Sequence, residues 1–312
     1  MIHTTHSYST MKRCLILSFL VLATASTVTA QTSDLEPSLT QVLIIVGPST
    51  HPPGSHEVAA GGRLMAHCLE RADNLKSFKA TVVQGWPEDD ALLDSAASIV
   101  FMGDTFPPQR LQNTDAILAK LSQMMQRGCG IVCVHYATGL LGQDVAADGE
   151  HPLLHWLGGY FANKTCPHHQ GIAKIFPSAT ITPAAPLHPI SRGWSEFTIH
   201  DEPYIDNYFG KENNQLAPNV TALATSMLPP EDPSQQVVAW CVQRDKPDGS
   251  GGRGFGIVMP HFFKNWNEEN LRRFILNGIV WTSNREVPQE GVQSDLPNLK
   301  KFAPAAVEVS QR

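Results

Sequence analysis

The sequence predicts an α/β fold built on a doubly wound sheet with a parallel core. Short apolar runs rich in Val and Ile alternate along the chain with segments whose apolar residues recur at helical spacing. The run at 41–46 and the run at 131–134 are almost continuously apolar. Continuous runs of this kind are typical of strands buried on both faces of a parallel sheet, and the alternation with helices is typical of doubly wound folds.

The predicted elements follow one another in strand–loop–helix order. After the first strand comes a turn-rich loop, and we expect Ser55 to cap a helix that begins at His56. Further strands are predicted at 78–83, 98–102, 131–134, from 172 onward, at 220–226, 237–243 and 254–259, and further helices at 89–97, 111–126, 152–160 and 268–281. No internal repeat and no second domain boundary are visible.

The chain is predicted to have three parts. Residues 1–30 have the form of a secretory signal peptide, because Lys12-Arg13 precede a short apolar run and small residues end at Ala30. A start at Met11 and an uncleaved anchor are alternatives, although the run is shorter than the about 20 residues of a membrane-spanning helix. Residues 31–285 are predicted to form one α/β domain, followed by a tail at 286–312 that is wrapped or disordered. The expected location is exported, periplasmic or extracellular.

Composition excludes several classes of function. The net charge is −6 at pH 7 and no basic cluster is present, so we expect no nucleic-acid partner. No second apolar run is long enough to span a membrane, so no membrane partner is expected after signal cleavage. The cysteines form no CxxC pair, which argues against a zinc ribbon and against a dense disulfide framework. The expected partner is therefore a small molecule, and association into a homo-oligomer stays open.

Histidines and a carboxylate recur at the ends of the predicted strands. In open α/β sheets, ligands bind outside the carboxyl ends of the strands. The right-handed crossover rule places the loops that follow Val46, Met102 and Val134 along one edge of the sheet. These loops carry His51, His56, Asp104 and His135.

Several motifs, in this order and spacing, resemble the ThuA (trehalose utilisation) family. They are Gly130-Ile-Val-Cys-Val-His135, His168-His169-Gln-Gly, His188-Pro-Ile-Ser-Arg-Gly, Asp201-Glu202-Pro-Tyr204 and the closing Gly252-Arg-Gly, Pro260-His261 and Leu276-Asn-Gly-Ile-Val-Trp281. The resemblance covers residues 41–283. It implies a flavodoxin-like sheet similar to that of class I glutamine amidotransferases. It also implies a role in sugar metabolism, such as the processing of keto-sugars.

The resemblance includes one departure from the amidotransferase pattern. In that fold a cysteine nucleophile occupies the sharp turn after the central strand. Here His135 takes the corresponding position, and Cys133 lies on the strand before it. A reactive thiolate needs exposure and electropositive surroundings. We therefore expect Cys133 to be a buried apolar residue and expect no cysteine acyl chemistry.

Four residues form the main candidate site: His56, His135, Glu202 and His261. Three imidazoles and one carboxylate suit Zn²⁺ or another divalent metal, and no nucleotide cofactor is expected. In a metal-free alternative, His135 acts as the base and Glu202 as the acid. In a purely structural alternative, each histidine caps its strand and the acidic residues form a solvated turn.

Other residues are weaker candidates. His169 is a further catalytic candidate, preferred to His168 because adjacent side chains of an extended segment point in opposite directions. Asp104, Tyr204 and Trp266 are candidates for substrate binding, with core packing as the alternative for the two aromatic residues.

The expected function is that of an exported, sugar-active enzyme. It would be a hydrolase, lyase or isomerase of keto-sugar or disaccharide breakdown that uses the His/Glu site, with or without a metal. The alternative is a non-catalytic carbohydrate-binding or accessory protein on the same scaffold. A pocket dense in ionisable groups favours the enzyme, whereas an aromatic groove favours the binding protein.

Overall fold

The computed structural model describes Met1 and residues 38–244, 251–296 and 298–303. The predicted signal peptide, apart from Met1, lies outside the described residues, as do 304–312 of the predicted tail. The domain boundaries and the export of the chain therefore stay predictions. The described residues from 38 onward belong to one compact unit.

Strands and helices alternate through the first half of the described chain. The strands are β1 (Thr40–Val46), β2 (Phe78–Gln84), β3 (Ser98–Met102), β4 (Gly130–Val134), β5 (Gly139–Leu140), β6 (Phe161–Ala162), β7 (Phe176–Pro183), β8 (Phe197–Asp201), β9 (Val220–Leu228), β10 (Ser234–Gln243) and β11 (Arg253–Ile257). The helices are α1 (Val58–Glu70), α2 (Asp90–Ser95), α3 (Thr114–Gln126), α4 (Pro152–Leu157) and α5 (Glu269–Thr282). Short 3₁₀ turns link several of them, including one at His135–Thr138 directly after β4.

Nine strands of the described chain form one mixed sheet in the order β2-β1-β3-β4-β11-β10-β9-β7-β8. The five strands from β2 to β11 run parallel to their neighbours, and the remaining pairs are antiparallel. Strands β5 and β6 form a separate parallel pair. The predicted α/β fold with a parallel core is confirmed, and the three strands predicted at Val42, Val100 and Ile131 lie side by side as β1, β3 and β4.

The parallel half of the sheet is the core of the molecule. Every residue of β3 and β4 is buried, as the continuous Val and Ile runs predict. Helix α1 contacts α5, and α3 contacts α4, so two helix pairs cover this half. Gly130 permits the close approach of α5 to the start of β4, because a Cβ there would lie 2.1 Å from the Thr282 carbonyl oxygen.

Several predicted element starts are shifted by two to four residues, and two of the shifts have a tertiary cause. Helix α1 begins at Val58, and Ser55 does not cap it, because Ser55 pairs instead with Phe262 in an isolated β-bridge. The strand predicted from Ile172 begins only at Phe176, since Ile172 makes a single bridge elsewhere. In both places a contact with a distant segment replaces the local pattern.

The described part of the C-terminal tail packs against the domain. Val287, Val292 and Leu299 are buried. The Val292 amide donates to Asn277 Oδ1 of α5 at 2.8 Å. Of the two alternatives for this segment, the wrapped one holds for the described residues.

None of the described helices is long and apolar enough to cross a membrane.

Candidate metal centre

The four main candidates all lie near the carboxyl ends of strands. His56 is in the loop after β1, His135 directly follows β4, Glu202 directly follows β8, and His261 lies four residues after β11. His56 and His135 have φ angles of 46° and 51°. This left-handed conformation is uncommon for residues other than glycine and is concentrated at functional sites.

The four side chains converge on one point. His56 Nε2 lies 2.8 Å from His135 Nε2 and 3.0 Å from His261 Nδ1, and the latter two atoms are 3.2 Å apart. Glu202 Oε2 is 3.1 Å from His261 Nδ1 and 3.9 Å from His135 Nε2. All four ligand atoms lie within 4.8 Å of one another. The structure thus brings together the four residues that the sequence singled out.

In the rings of His135 and His56, the hydrogen bond made by Nδ1 fixes the protonation state of Nε2. His135 Nδ1 contacts the Val258 carbonyl oxygen at 2.9 Å and must donate a proton to it. His56 Nδ1 contacts the Asp104 carboxylate at 2.6 Å and donates to it likewise. A neutral imidazole carries one N–H, so each Nε2 presents a lone pair. Two lone pairs that face each other at 2.8 Å need a proton or a cation between them.

The donor set fits a divalent transition metal. A tetrahedral Zn²⁺ with about 2.0–2.1 Å to each nitrogen separates its ligands by about 3.3 Å. The three nitrogen–nitrogen distances of 2.8–3.2 Å are close to that separation. The outer contacts of His56 and His135, to a carboxylate and to a backbone carbonyl, are those that orient metal-binding histidines in proteins.

Burial sets the charge state of the cluster. It lowers the pKa of His56 and lowers that of His135 well below its usual value. Burial alone would raise the pKa of Asp104. Hydrogen bonds from His51, from His56 and from the Thr50 amide outweigh it and hold that pKa well below its usual range. Neutral imidazoles beside an ionised carboxylate are the state that metal binding requires.

His51 forms the solvent-facing side of the cluster. Its ring stacks on His56 with centroids 3.5 Å apart, and its Nδ1 contacts Asp104 Oδ2 at 2.9 Å. The ring of Tyr136 lies 6.3 Å from it, edge-on. A cleft of about 470 Å³, lined in part by His51, His56 and Gln84, opens beside it. Solvent and small ligands therefore reach this side of the site.

The sequence model of the ThuA family, described as trehalose utilisation, matches residues 42–282. The chain belongs to the ThuA family. Two solved structures of ThuA-like proteins are similar to it. The protein from Bacteroides uniformis ATCC 8492 shares 14% identity and a TM-score of 0.55 over 84% of this chain and 98% of that one. The protein from Parabacteroides merdae ATCC 43184 shares 16% identity and a TM-score of 0.50 over 82% and 97%.

Glutamine amidotransferases are also among the structural neighbours of this ThuA-family chain. The one from Thermotoga maritima shares 8% identity and a TM-score of 0.43 over 78% of this chain and 96% of that one. The match of the family model confirms the predicted family. A search of curated proteins finds no match.

In this ThuA-family chain, a fifth residue organises the cluster, and the sequence did not reveal it. Asp201 is fully buried, and its Oδ1 accepts the backbone amides of Glu202, His261 and Phe262 at 2.9, 2.8 and 3.2 Å. One carboxylate oxygen therefore joins the segment after β8 to the segment after β11. The acidic pair at a strand end was the available signal, but nothing local distinguished Asp201 from a solvated turn residue.

The predicted substrate-binding residues occupy three different places. Asp104 lies behind His56 and His51 and bonds both of them. Tyr204 is buried, with its ring stacked between His135 and Phe161. Trp266 is only 1% exposed and belongs to the core. This placement corrects the prediction that Trp266 binds substrate, because its ring packs in the core and, among the described residues, makes no ring contact with the four candidate ligands.

His169 is separate from the cluster of four candidate ligands, which corrects its prediction as a catalytic residue. Its Nε2 contacts the Asp206 carbonyl oxygen at 2.7 Å, and its ring lies near that of Tyr208. The neighbouring His168 turns toward Tyr160, with 2.8 Å between Nε2 and the hydroxyl. The two rings have different hydrogen-bond partners, but both lie beside Tyr208, and none of these groups belongs to the cluster.

Cys133 lies in the middle of the buried sheet. Its side chain is inaccessible, and burial raises the pKa of its thiol well above the usual value. A thiol in that state is not a nucleophile. The turn directly after β4 begins with His135 and carries no cysteine.

Proposed function

We propose that this chain is a divalent-metal enzyme that acts on a sugar, with Zn²⁺ as the first candidate metal. The ligands would be His56, His135, His261 and Glu202. The observation that carries the proposal is the convergence of three imidazole nitrogens and one carboxylate oxygen within 4.8 Å. Two of these nitrogens are held as lone pairs by hydrogen bonds on the far side of their rings.

The family description, trehalose utilisation, supports a carbohydrate substrate. Within that class, we propose a keto-sugar or disaccharide as the substrate and hydrolysis, elimination or isomerisation as the reaction. A divalent cation, when bound, would lower the pKa of a water ligand and polarise a sugar carbonyl. The keto group of an oxidised sugar is the substrate feature that such a site would exploit best.

The four candidate ligands differ in exposure, and exposure limits which of them can exchange a proton with a substrate. The side chains of His56, His135 and His261 are 1%, 3% and 8% exposed, whereas that of Glu202 is 16% exposed. Glu202 Oε2 faces the imidazoles, and its other oxygen has no hydrogen-bond partner among the described residues. Glu202 is therefore the member of the four best able to exchange a proton with a substrate hydroxyl.

A metal-free acid/base enzyme is the second candidate. The observation that favours it is the 3.1 Å contact between His261 Nδ1 and Glu202 Oε2, which is short enough for a direct hydrogen bond. In this version, His135 is the base and Glu202 the acid. A binding protein without catalysis is less well supported, because sugar binding does not need three buried imidazoles in mutual contact.

The test is a screen of keto-disaccharides with the purified protein and two variants. His135→Ala should lower turnover by at least about 10²-fold, the lower end of what positioned catalytic groups supply. His155→Ala is the control, because that histidine is exposed and, among the described residues, pairs with Glu150 outside the cluster. Far-UV circular dichroism should be unchanged in both. Full activity of His135→Ala would contradict both catalytic candidates.

Export is a separate part of the proposal and rests on Lys12-Arg13, the apolar run and Ala30. Mass spectrometry of the secreted or periplasmic chain should place Gln31 at its N-terminus. An unprocessed chain in the cytosol would overturn this part and leave the catalytic proposal intact.

A further inference from the structure

The hydroxyl of Tyr204 lies among the ligand atoms of the cluster. It is 3.1 Å from His135 Nε2, a distance similar to those between that nitrogen and the two other imidazoles. The side chain is 1% exposed, and its ring is stacked between His135, with centroids 4.6 Å apart, and Phe161, with centroids 4.1 Å apart. The phenol is therefore fixed in direction by rings on both faces.

The hydrogen bond of this hydroxyl competes with metal binding. His135 Nδ1 donates to the Val258 carbonyl, so Nε2 accepts the Tyr204 O–H through its lone pair. A metal would take the same lone pair. His135 Nε2 is the hydrogen-bond partner that the described residues offer to the hydroxyl, and a buried O–H left without an acceptor is destabilising.

We propose that Tyr204 donates its hydroxyl proton, as a hydrogen bond, to the substrate oxygen that binds at the metal. This inference rests on the proposed metal site and adds a catalytic residue to it. Loading the site removes the acceptor on His135, and an oxygen atom of the substrate replaces it. Such a preset donor stabilises negative charge that develops on the oxygen during reaction, in the way of an oxyanion hole. The proton stays on the phenol throughout.

The experiment compares Tyr204→Phe with wild type and with Tyr160→Phe. Tyr160 is a matched control because it is also fully buried and hydrogen-bonded, but to the Gly149 carbonyl and His168, outside the cluster. Two quantities are measured for each chain: the Zn²⁺ bound per chain at equilibrium with a competing chelator, and the affinity of the loaded protein for acetohydroxamate. This probe ligates metals through oxygens that can accept a hydrogen bond.

Tyr204→Phe should bind Zn²⁺ at least as tightly as wild type does, because the competing hydrogen bond is gone, but bind acetohydroxamate about tenfold more weakly, which corresponds to about 1.4 kcal/mol. Tyr160→Phe should match wild type in both measurements. Unchanged acetohydroxamate affinity in Tyr204→Phe would overturn the donor role. Loss of Zn²⁺ from Tyr204→Phe alone would also overturn it, because Tyr204 would then be a ligand. A wild-type chain that binds no Zn²⁺ would overturn the proposed function itself.

Discussion

At the scale of single residues, the site depends on which ring nitrogens carry protons. Asp104 holds the proton of His56 on Nδ1, and the Val258 carbonyl does the same for His135. Both inner nitrogens are thereby kept free for a metal. The second carboxylate oxygen of Asp104 contacts His51 Nδ1, so one side chain orients two imidazoles.

Asp104→Asn should therefore weaken metal binding. The amide can turn an N–H toward His56 Nδ1, which would move the ring proton to Nε2, where it blocks the ligand position. We expect Zn²⁺ affinity to fall by about 10–100-fold, the usual effect of changing such outer partners. Competition with a chromophoric chelator measures this. Asp90→Asn is the control, since that carboxylate is exposed and, in the described part of the chain, its ion pair is with Lys120, far from the cluster in sequence and contacts. Equal affinities of the two variants would contradict the orienting role.

The sequence allowed the prediction of some site residues because they follow apolar strands directly. His135 directly follows the β4 run and Asp104 lies two residues after the β3 run, so both are predicted to lie at strand ends. The roles of Asp201 and Val258 could not be predicted, because each acts through bonds to segments that are distant in sequence. Trp266 was misassigned because an aromatic residue in a short turn has the same local pattern whether it is buried or exposed.

At the scale of elements, helix α4 is capped by a titratable residue. His151 is its N-cap, and its Nδ1 accepts the Leu153 amide at 3.0 Å. Burial lowers the pKa of His151 to about 4 from 6.5. The folded state therefore keeps this histidine neutral at a pH at which the unfolded chain already binds a proton. The stability that follows is present above about pH 6.5 and is lost as pH falls toward about 4.

His151→Asn should flatten this pH dependence. Asparagine is a good N-cap that does not titrate, so the helix start is retained. Between about pH 7.5 and about pH 5, the free energy of unfolding of wild type should fall by about 2 kcal/mol more than that of the variant. Urea unfolding of the metal-free chains measures the difference, with the exposed His155→Asn as control. Parallel pH profiles for wild type and His151→Asn would show that this histidine is not the titrating group.

Whole elements were predictable where the local pattern and the fold agree. The runs that became β1, β3 and β4 are buried on both faces, so their composition alone identifies them. The start of α1 was not predictable. His56 there adopts a positive φ and donates its amide to the His261 carbonyl at 2.9 Å, a contact 205 residues away in the chain.

At the scale of the whole molecule, the antiparallel half of the sheet completes the site. Strand β8 lies four positions from β11 in the sheet. Nevertheless the end of β8 meets the segment after β11, where Asp201 binds the His261 amide. Glu202 therefore joins histidines that belong to the parallel half. The sequence indicated Glu202 through the family resemblance but contained no signal for this closure.

The C-terminal segment stabilises the parallel half of the molecule by packing against α5. Val292 is 1% exposed against α5, whereas Leu296 is 41% exposed. Val292→Ala should lower the free energy of unfolding by roughly 1–3 kcal/mol, and Leu296→Ala should change it by less than about 0.5 kcal/mol. Urea unfolding compares the two. A neutral Val292→Ala would mean that the segment does not pack on the domain in solution.

The central claim is that the three histidines and Glu202 hold one metal ion. The most direct measurement is elemental analysis of the chain purified without added metal, and again after chelation and reloading with Zn²⁺, alongside His135→Ala. We expect about one metal ion per wild-type chain. His135→Ala should lose at least about 100-fold in Zn²⁺ affinity, because removing a ligand weakens binding more than removing a residue that only orients a ligand, for which the loss is about 10–100-fold. A wild-type chain that contains no metal and takes up none on reloading would contradict the account.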